Sequence, residues 1–166
     1  SSLHQEDRLI IHIQDKGQKL HLENMKYYFL NYNNEARKHH MEHEFENFHL
    51  QRIYPVSPTD EITKYRSGAT GFMRMLTCGI RDQDTKKCFQ PFCIMEDDVK
   101  EYREFPKFID IPTDTDLLYI GLSKCGLNPK TFLGEPKKIY CNVVSNFPNL
   151  IRPYNMLALH GLIICS

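Results

Sequence analysis

A chain of 166 residues suits one domain and can bury roughly 70% of its unfolded surface, enough for a true hydrophobic core. Basic and acidic residues number 21 each, and the zero net charge excludes a general polyanion binder, so no nucleic-acid partner is expected. The 41% hydrophobic and 25% charged content is that of an ordinary globular protein, and no apolar run approaches the ~20 residues of a membrane helix.

Six cysteines are present, none in a C-x-x-C pair, and Cys93, Cys141 and Cys165 sit inside apolar runs as small hydrophobes. This usage fits a reducing compartment. The polar start, Ser1-Ser2-Leu3-His4-Gln5-Glu6-Asp7-Arg8, is neither a signal peptide nor a transit peptide, so a cytoplasmic location is expected. The other end, Leu162-Ile163-Ile164-Cys165-Ser166, closes on an apolar segment, the pattern of a fragment of something longer.

Along the chain, Leu9-Ile10-Ile11-His12-Ile13 predicts a strand. Between residues 19 and 46 the apolar positions Leu22, Met25, Phe29, Tyr32 and Ala36 recur at three or four residues, which predicts a helix, or two if Asn31, Asn33 and Asn34 break it. His49-Leu50-Gln51-Arg52-Ile53-Tyr54 alternates as a strand and stops at Pro55. Ser67-Gly68-Ala69-Thr70-Gly71 reads as the lead into a buried helix over residues 72–80, followed by a charged loop from Arg81 to Lys87. Phe92-Cys93-Ile94-Met95 predicts a buried strand. A short helix or irregular cover is expected over residues 102–109, and a strand at Leu117-Leu118-Tyr119-Ile120-Gly121. A loop over 128–136, a β-rich run over 138–144 and an apolar run over 156–164 around His160-Gly161 complete the chain. Strands alternating with helices in the first ~100 residues predict an α/β fold with a mixed, mainly parallel sheet flanked by helices.

The strand at 92–95 ends in three consecutive carboxylates, Glu96-Asp97-Asp98. Adjacent half-buried acids repel one another and lose hydration, and a hard divalent cation relieves both costs. The carboxyl ends of the strands are where open α/β sheets bind ligands. Alternation sets Glu96 and Asp98 on one side and Asp97 on the other, so the first two can share a metal–nucleotide site. Asp114-Thr115-Asp116 has the same spacing but precedes its strand, at the wrong edge, and reads as a turn. His160, alone in an apolar run, reads as a core histidine or a ligand. His39, His40 and His43 lack the H-E-x-x-H order of a zinc helix and read as a solvated helix end. Backbone N–H groups at residues 67–71 could cradle phosphate at a helix start, although neither G-x-x-x-x-G-K-[ST] nor G-x-G-x-x-G is present.

Taken together, the Ser-Gly-x-x-Gly run from Ser67 to Gly71, the Ile94-Met95-Glu96-Asp97-Asp98-Val99 strand end, Leu118-Tyr119-Ile120-Gly121 and Leu159-His160-Gly161-Leu162 resemble a GT-A glycosyltransferase. Within that group the chain most resembles the lipooligosaccharide and procollagen galactosyltransferase-like family, and in general style the glycosyltransferase domains of large algal viruses. The family's Ser-His pair is replaced here by Met75-Leu76. The resemblance, which covers most of residues 8–165, implies a single GT-A-like domain over residues 1–166. It implies transfer of a hexose from a UDP-sugar to a glycan or protein-linked acceptor, with Mn²⁺ or Mg²⁺. It implies Asp98 as metal ligand, Glu96 at ribose or metal, and His160 as a further ligand. It also places His12, Gln14 and Asp15 at the base, with Ser67, Gly68, Thr70 and Asp97 beside the donor. For a catalytic base it offers only Asp114 and Asp116. The alternatives are a metal-dependent nucleotidyltransferase or phosphohydrolase on the same acids, or an inactive scaffold that keeps the fold.

Overall fold

The computed structural model describes residues 16–57, 59, 63–101, 104–121, 141–153 and 160–166. Its main sheet has five strands in the order β3-β2-β4-β9-β6, where β2 is Lys26–Leu30, β3 His49–Ile53, β4 Phe92–Met95, β6 Leu117–Gly121 and β9 Gly161–Ile164. β2 pairs in parallel with β3 and β4, whereas β9 lies antiparallel between β4 and β6. β3, β2, β4 and β6 therefore all run one way, and their carboxyl ends share one edge with the amino end of β9. The architecture is mixed α/β. β1 (Gln18–His21) pairs antiparallel with β5 (Phe108–Ile111), and β7 (Cys141–Val144) with β8 (Phe147–Pro153).

Two differences from expectation concern these strands. Residues 19–46 are not one helix, nor a pair of helices: β1 and β2 occupy the first part, and only α1 (Glu35–Glu44) is helical. β2 carries Tyr27, Tyr28 and Phe29, all buried, because a strand with partners on both sides and cover on both faces buries consecutive residues. That erases the period of two, and the aromatic run has high strand propensity. Leu22 and Met25, buried in the connection from β1, supplied the helical spacing. The cover expected over residues 102–109 is irregular at 104–107 and becomes β5 at Phe108, held by β1. The strand expected at 9–13 lies outside the described residues.

The sheet separates two apolar clusters. Tyr27, Phe29, Cys93, Met95 and Ile163 pack with Met41 and Phe45 from α1 and the residue after it. Tyr28, Phe92, Ile94 and Leu162 pack with Met75 of α2 (Lys64–Arg81). Strict alternation along β4 and β9 thus feeds both faces, with α1 on one and α2 on the other. α1 begins where Asn33 takes a left-handed φ of 44° and the Asn34 side chain accepts from Arg37 N at 3.0 Å. Thr63 caps α2 by accepting from Arg66 N at 3.3 Å. The helix therefore starts before Ser67, not after it, which corrects the expected helix start at residues 67–71.

Candidate metal centre

The last residues of β4 and the residue before β9 meet because the register pairs Met95 with Gly161. Glu96 continues from Met95, and His160 precedes Gly161, so both fall at the same edge of the sheet. Close packing of β6 on β9 fixes the histidine further. A Cβ on Gly121 would stand 2.9 Å from His160 Cβ, and one on Gly161 would stand 2.7 Å from Ile120 Cγ1. Only glycine lets the strands approach this closely at that point.

Glu96, Asp98 and His160 each offer one ligand atom, and these atoms all lie within 4.8 Å of one another. Among the described residues this is the cluster with three or more such donors. Two carboxylate oxygens and an imidazole form a donor set that could hold a divalent metal ion, the carboxylates favouring hard cations and the imidazole transition metals. Glu96 is half-buried, and its carboxyl is pushed above its ordinary value, first by burial and then by Asp98, while His160 pulls it down. A cation between the three groups would offset both the burial and the repulsion.

Asp97 faces elsewhere. Its Oδ2 accepts from Asn31 Nδ2 at 2.8 Å, and its Oδ1 accepts from Arg37 Nη1 at 3.1 Å. Asn31 follows β2, and Arg37 lies in α1. Within the acidic triplet, the ion pair seen among the described residues therefore belongs to Asp97.

A cavity of about 650 Å³ opens beside the cluster. Asp98 and His160 form part of its wall, Phe45, Met95, Phe105 and Ile120 supply apolar surface, and Glu101 and Glu104 add carboxylates. A smaller cavity of about 330 Å³ lies at the opposite edge, near Lys26 and Phe92 at the starts of β2 and β4. The larger one adjoins the candidate ligands, so it is the one that bears on their chemistry.

Asp114 and Asp116 stand before β6, at its amino end. Asp116 accepts from the Ser166 hydroxyl, and its carbonyl accepts from Cys165 N at 2.8 Å. The length of β6 carries the chain from Asp116 to Gly121, roughly 16 Å at ~3.3 Å per residue. The two aspartates do not reach the cluster. Ser67 lies inside α2, where its hydroxyl donates to the Val56 carbonyl and its amide to Thr63 O at 2.9 Å. Thr70 donates its hydroxyl to Arg66 O at 2.8 Å, and Gly68 has open space around it. The expected phosphate cradle at 67–71 is thus a helix interior, because the free amides of α2 precede it. His12, Gln14 and Asp15 lie outside the described residues. His40 Nε2 donates to Val99 O at 2.8 Å, tethering the loop after the triplet, and His39 stays on the exposed face of α1 near Glu42.

Comparison with family models, with curated proteins and with solved structures finds no match to this chain. Its functional reading therefore rests on the residues themselves. Those that sequence inspection passed over are Asn31, Arg37 and Arg52. Tyr32 and Tyr54 join them, exposed just beyond the carboxyl ends of β2 and β3. The run Asn31-Tyr32-Asn33-Asn34 carried a signal, since clustered asparagines after an aromatic strand mark a turn at a strand end.

Proposed function

We propose that the protein is a metal-dependent glycosyltransferase that moves a hexose from a UDP-sugar to a glycan or protein-linked acceptor. Asp98, Glu96 and His160 hold Mn²⁺ or Mg²⁺. The observation that carries this is the convergence of those three donors, from the ends of β4 and β9, at the carboxyl edge of the parallel strands beside the larger cavity. Its volume falls within the ~300–1,000 Å³ of small-molecule sites. When bound, the cation acts as a Lewis acid that stabilises the charge left on a diphosphate leaving group.

The chain's own groups have separable tasks. Tyr32 and Tyr54 offer exposed rings for a base at the same edge, with the Arg52 guanidinium 4.3 Å from the Tyr54 ring centroid. Phe45, Phe105 and Ile120 exclude water from one side of the cavity. An inverting transfer needs a carboxylate to take the acceptor hydroxyl proton, and Glu101 and Glu104 line the cavity where Asp114 and Asp116 do not.

The test is calorimetric titration with UDP, UDP-glucose and GDP-mannose, with and without Mn²⁺, on the parent protein and on Asp98→Asn. Binding of a uridine compound that requires Mn²⁺ and weakens at least about tenfold in the variant is expected. Equal binding by parent and variant would remove the metal centre from the account.

A further inference from the structure

Asn31 is 1% exposed, yet it belongs to neither core cluster. Its backbone amide donates to Ile53 O at 3.1 Å, fixing it at the end of β2 beside β3. Every polar group of its carboxamide is used. Nδ2 donates to Asn34 O at 3.0 Å and to Asp97 Oδ2 at 2.8 Å, and Oδ1 accepts from Arg52 Nη2. Because arginine only donates and a carboxylate only accepts, the amide orientation is determined by its partners. Arg52 in turn lies 3.6 Å from Glu35, and Arg37 completes the grip on Asp97. The chain Glu35–Arg52–Asn31–Asp97–Arg37 ties β3, β2, the turn after β4 and the first part of α1 together.

We propose that Asn31, with Arg37, is a positioning element for the cation site. By taking both oxygens of Asp97 it pins the turn at 97–98, so that Glu96 and Asp98 are the carboxylates presented to His160. The inference rests on the metal reading above. It asks more of the structure, namely that groups which do not touch the cation set its affinity. Buried, fully satisfied polar networks hold one geometry, and outer groups of this kind commonly change metal affinity by about 10–100-fold.

Charge alone makes the opposite forecast. Asn31→Asp adds a negative charge near the cluster, and Arg37→Met removes a positive one, so simple electrostatics has both variants bind Mn²⁺ more tightly. Positioning has both bind it more weakly. Asn31→Asp sets two carboxylates against each other where a hydrogen bond stood, and Arg37→Met frees Asp97 Oδ1.

The experiment is calorimetric titration with Mn²⁺ alone, on the parent protein, Asn31→Asp, Arg37→Met and Asp98→Asn, with circular dichroism on each. Weakening of about tenfold or more in Asn31→Asp, and in the same direction in Arg37→Met, supports the inference. Unchanged or tighter binding overturns it. If Asn31→Asp loses the native spectrum, Arg37→Met decides alone, since its side chain is 54% exposed and its removal leaves the core intact. Asp98→Asn separates the two levels. Loss of Mn²⁺ binding there, with none in the other variants, would sink the positioning role and keep the metal centre. No loss in Asp98→Asn would sink both.

Discussion

The phenol of Tyr28 donates to Asp82 Oδ2 at 2.9 Å, and its ring meets Phe92 edge-on at 5.9 Å. A partly buried hydrogen bond to a carboxylate contributes about 1–2 kcal/mol. Tyr28→Phe keeps the ring and should lower unfolding stability by that amount in a denaturant titration, with no change in Mn²⁺ binding. Arg52 shows the converse arrangement. Its Nε is buried without a partner among the described residues, while its two Nη groups reach Glu35 and Asn31. At this scale the sequence spoke unevenly. Alternation expected Asp97 apart from Glu96 and Asp98, and the outcome agrees although the reason differs, since β4 ends at Met95 and residues 97–98 form a turn. The use of Asp97 by Asn31 and Arg37 could not be read, because both partners arrive from other elements through tertiary packing.

α2 presents two glycines with opposite expectations. A Cβ added at Gly68 would meet nothing within 4 Å, so Gly68→Ala should stabilise the helix by about 0.5–1 kcal/mol through reduced backbone entropy. Gly79 lies against Phe92, where a Cβ would come within 2.2 Å of the ring. There overpacking outweighs propensity, and Gly79→Ala should cost about 1–3 kcal/mol. Thermal unfolding of the two variants should move in opposite directions. β3, β4 and β6 were legible because each has a length, period and terminator of its own, and α2 was legible over its second half, its start at Thr63 having been missed. β2 was not, since burial on both faces hides a strand's period. β5 was missed because only its pairing with β1 makes Phe108-Ile109-Asp110-Ile111 extended.

Across the whole molecule, burial favours the neutral forms of several weak acids. It is the largest cause for the thiols of Cys93 and Cys165, both raised above 9.0 and Cys165 to about 11, and for the phenols of Tyr27 and Tyr28, raised above 10.0. Each holds its proton longer in the folded state than in the unfolded one. Stability is therefore unaffected below the unfolded values and declines as pH rises past them towards the folded ones. The melting temperature should be level near neutrality and fall steadily above about pH 9, and Cys165→Ala should reduce the slope. The mixed α/β class and the acidic strand end were legible at this scale, the latter because a buried apolar run that stops at three acids is a local signal, whereas the expected mainly parallel order was not, since β9 enters the described sheet antiparallel to both its neighbours. His160 entered the expected ligand set through the resemblance alone, since on its own it reads equally as a core histidine and it reaches Glu96 only through the pairing of β4 with β9.

That pairing has a consequence for how the protein is made. β9 fills a slot between β4 and β6, yet it is synthesised after both. Until it arrives, Phe92-Cys93-Ile94-Met95, wholly buried in the finished sheet, offers an open row of amides and carbonyls on one side. In any state where β4 has paired with β2 before β9 docks, that edge is a template that an extended apolar segment can occupy.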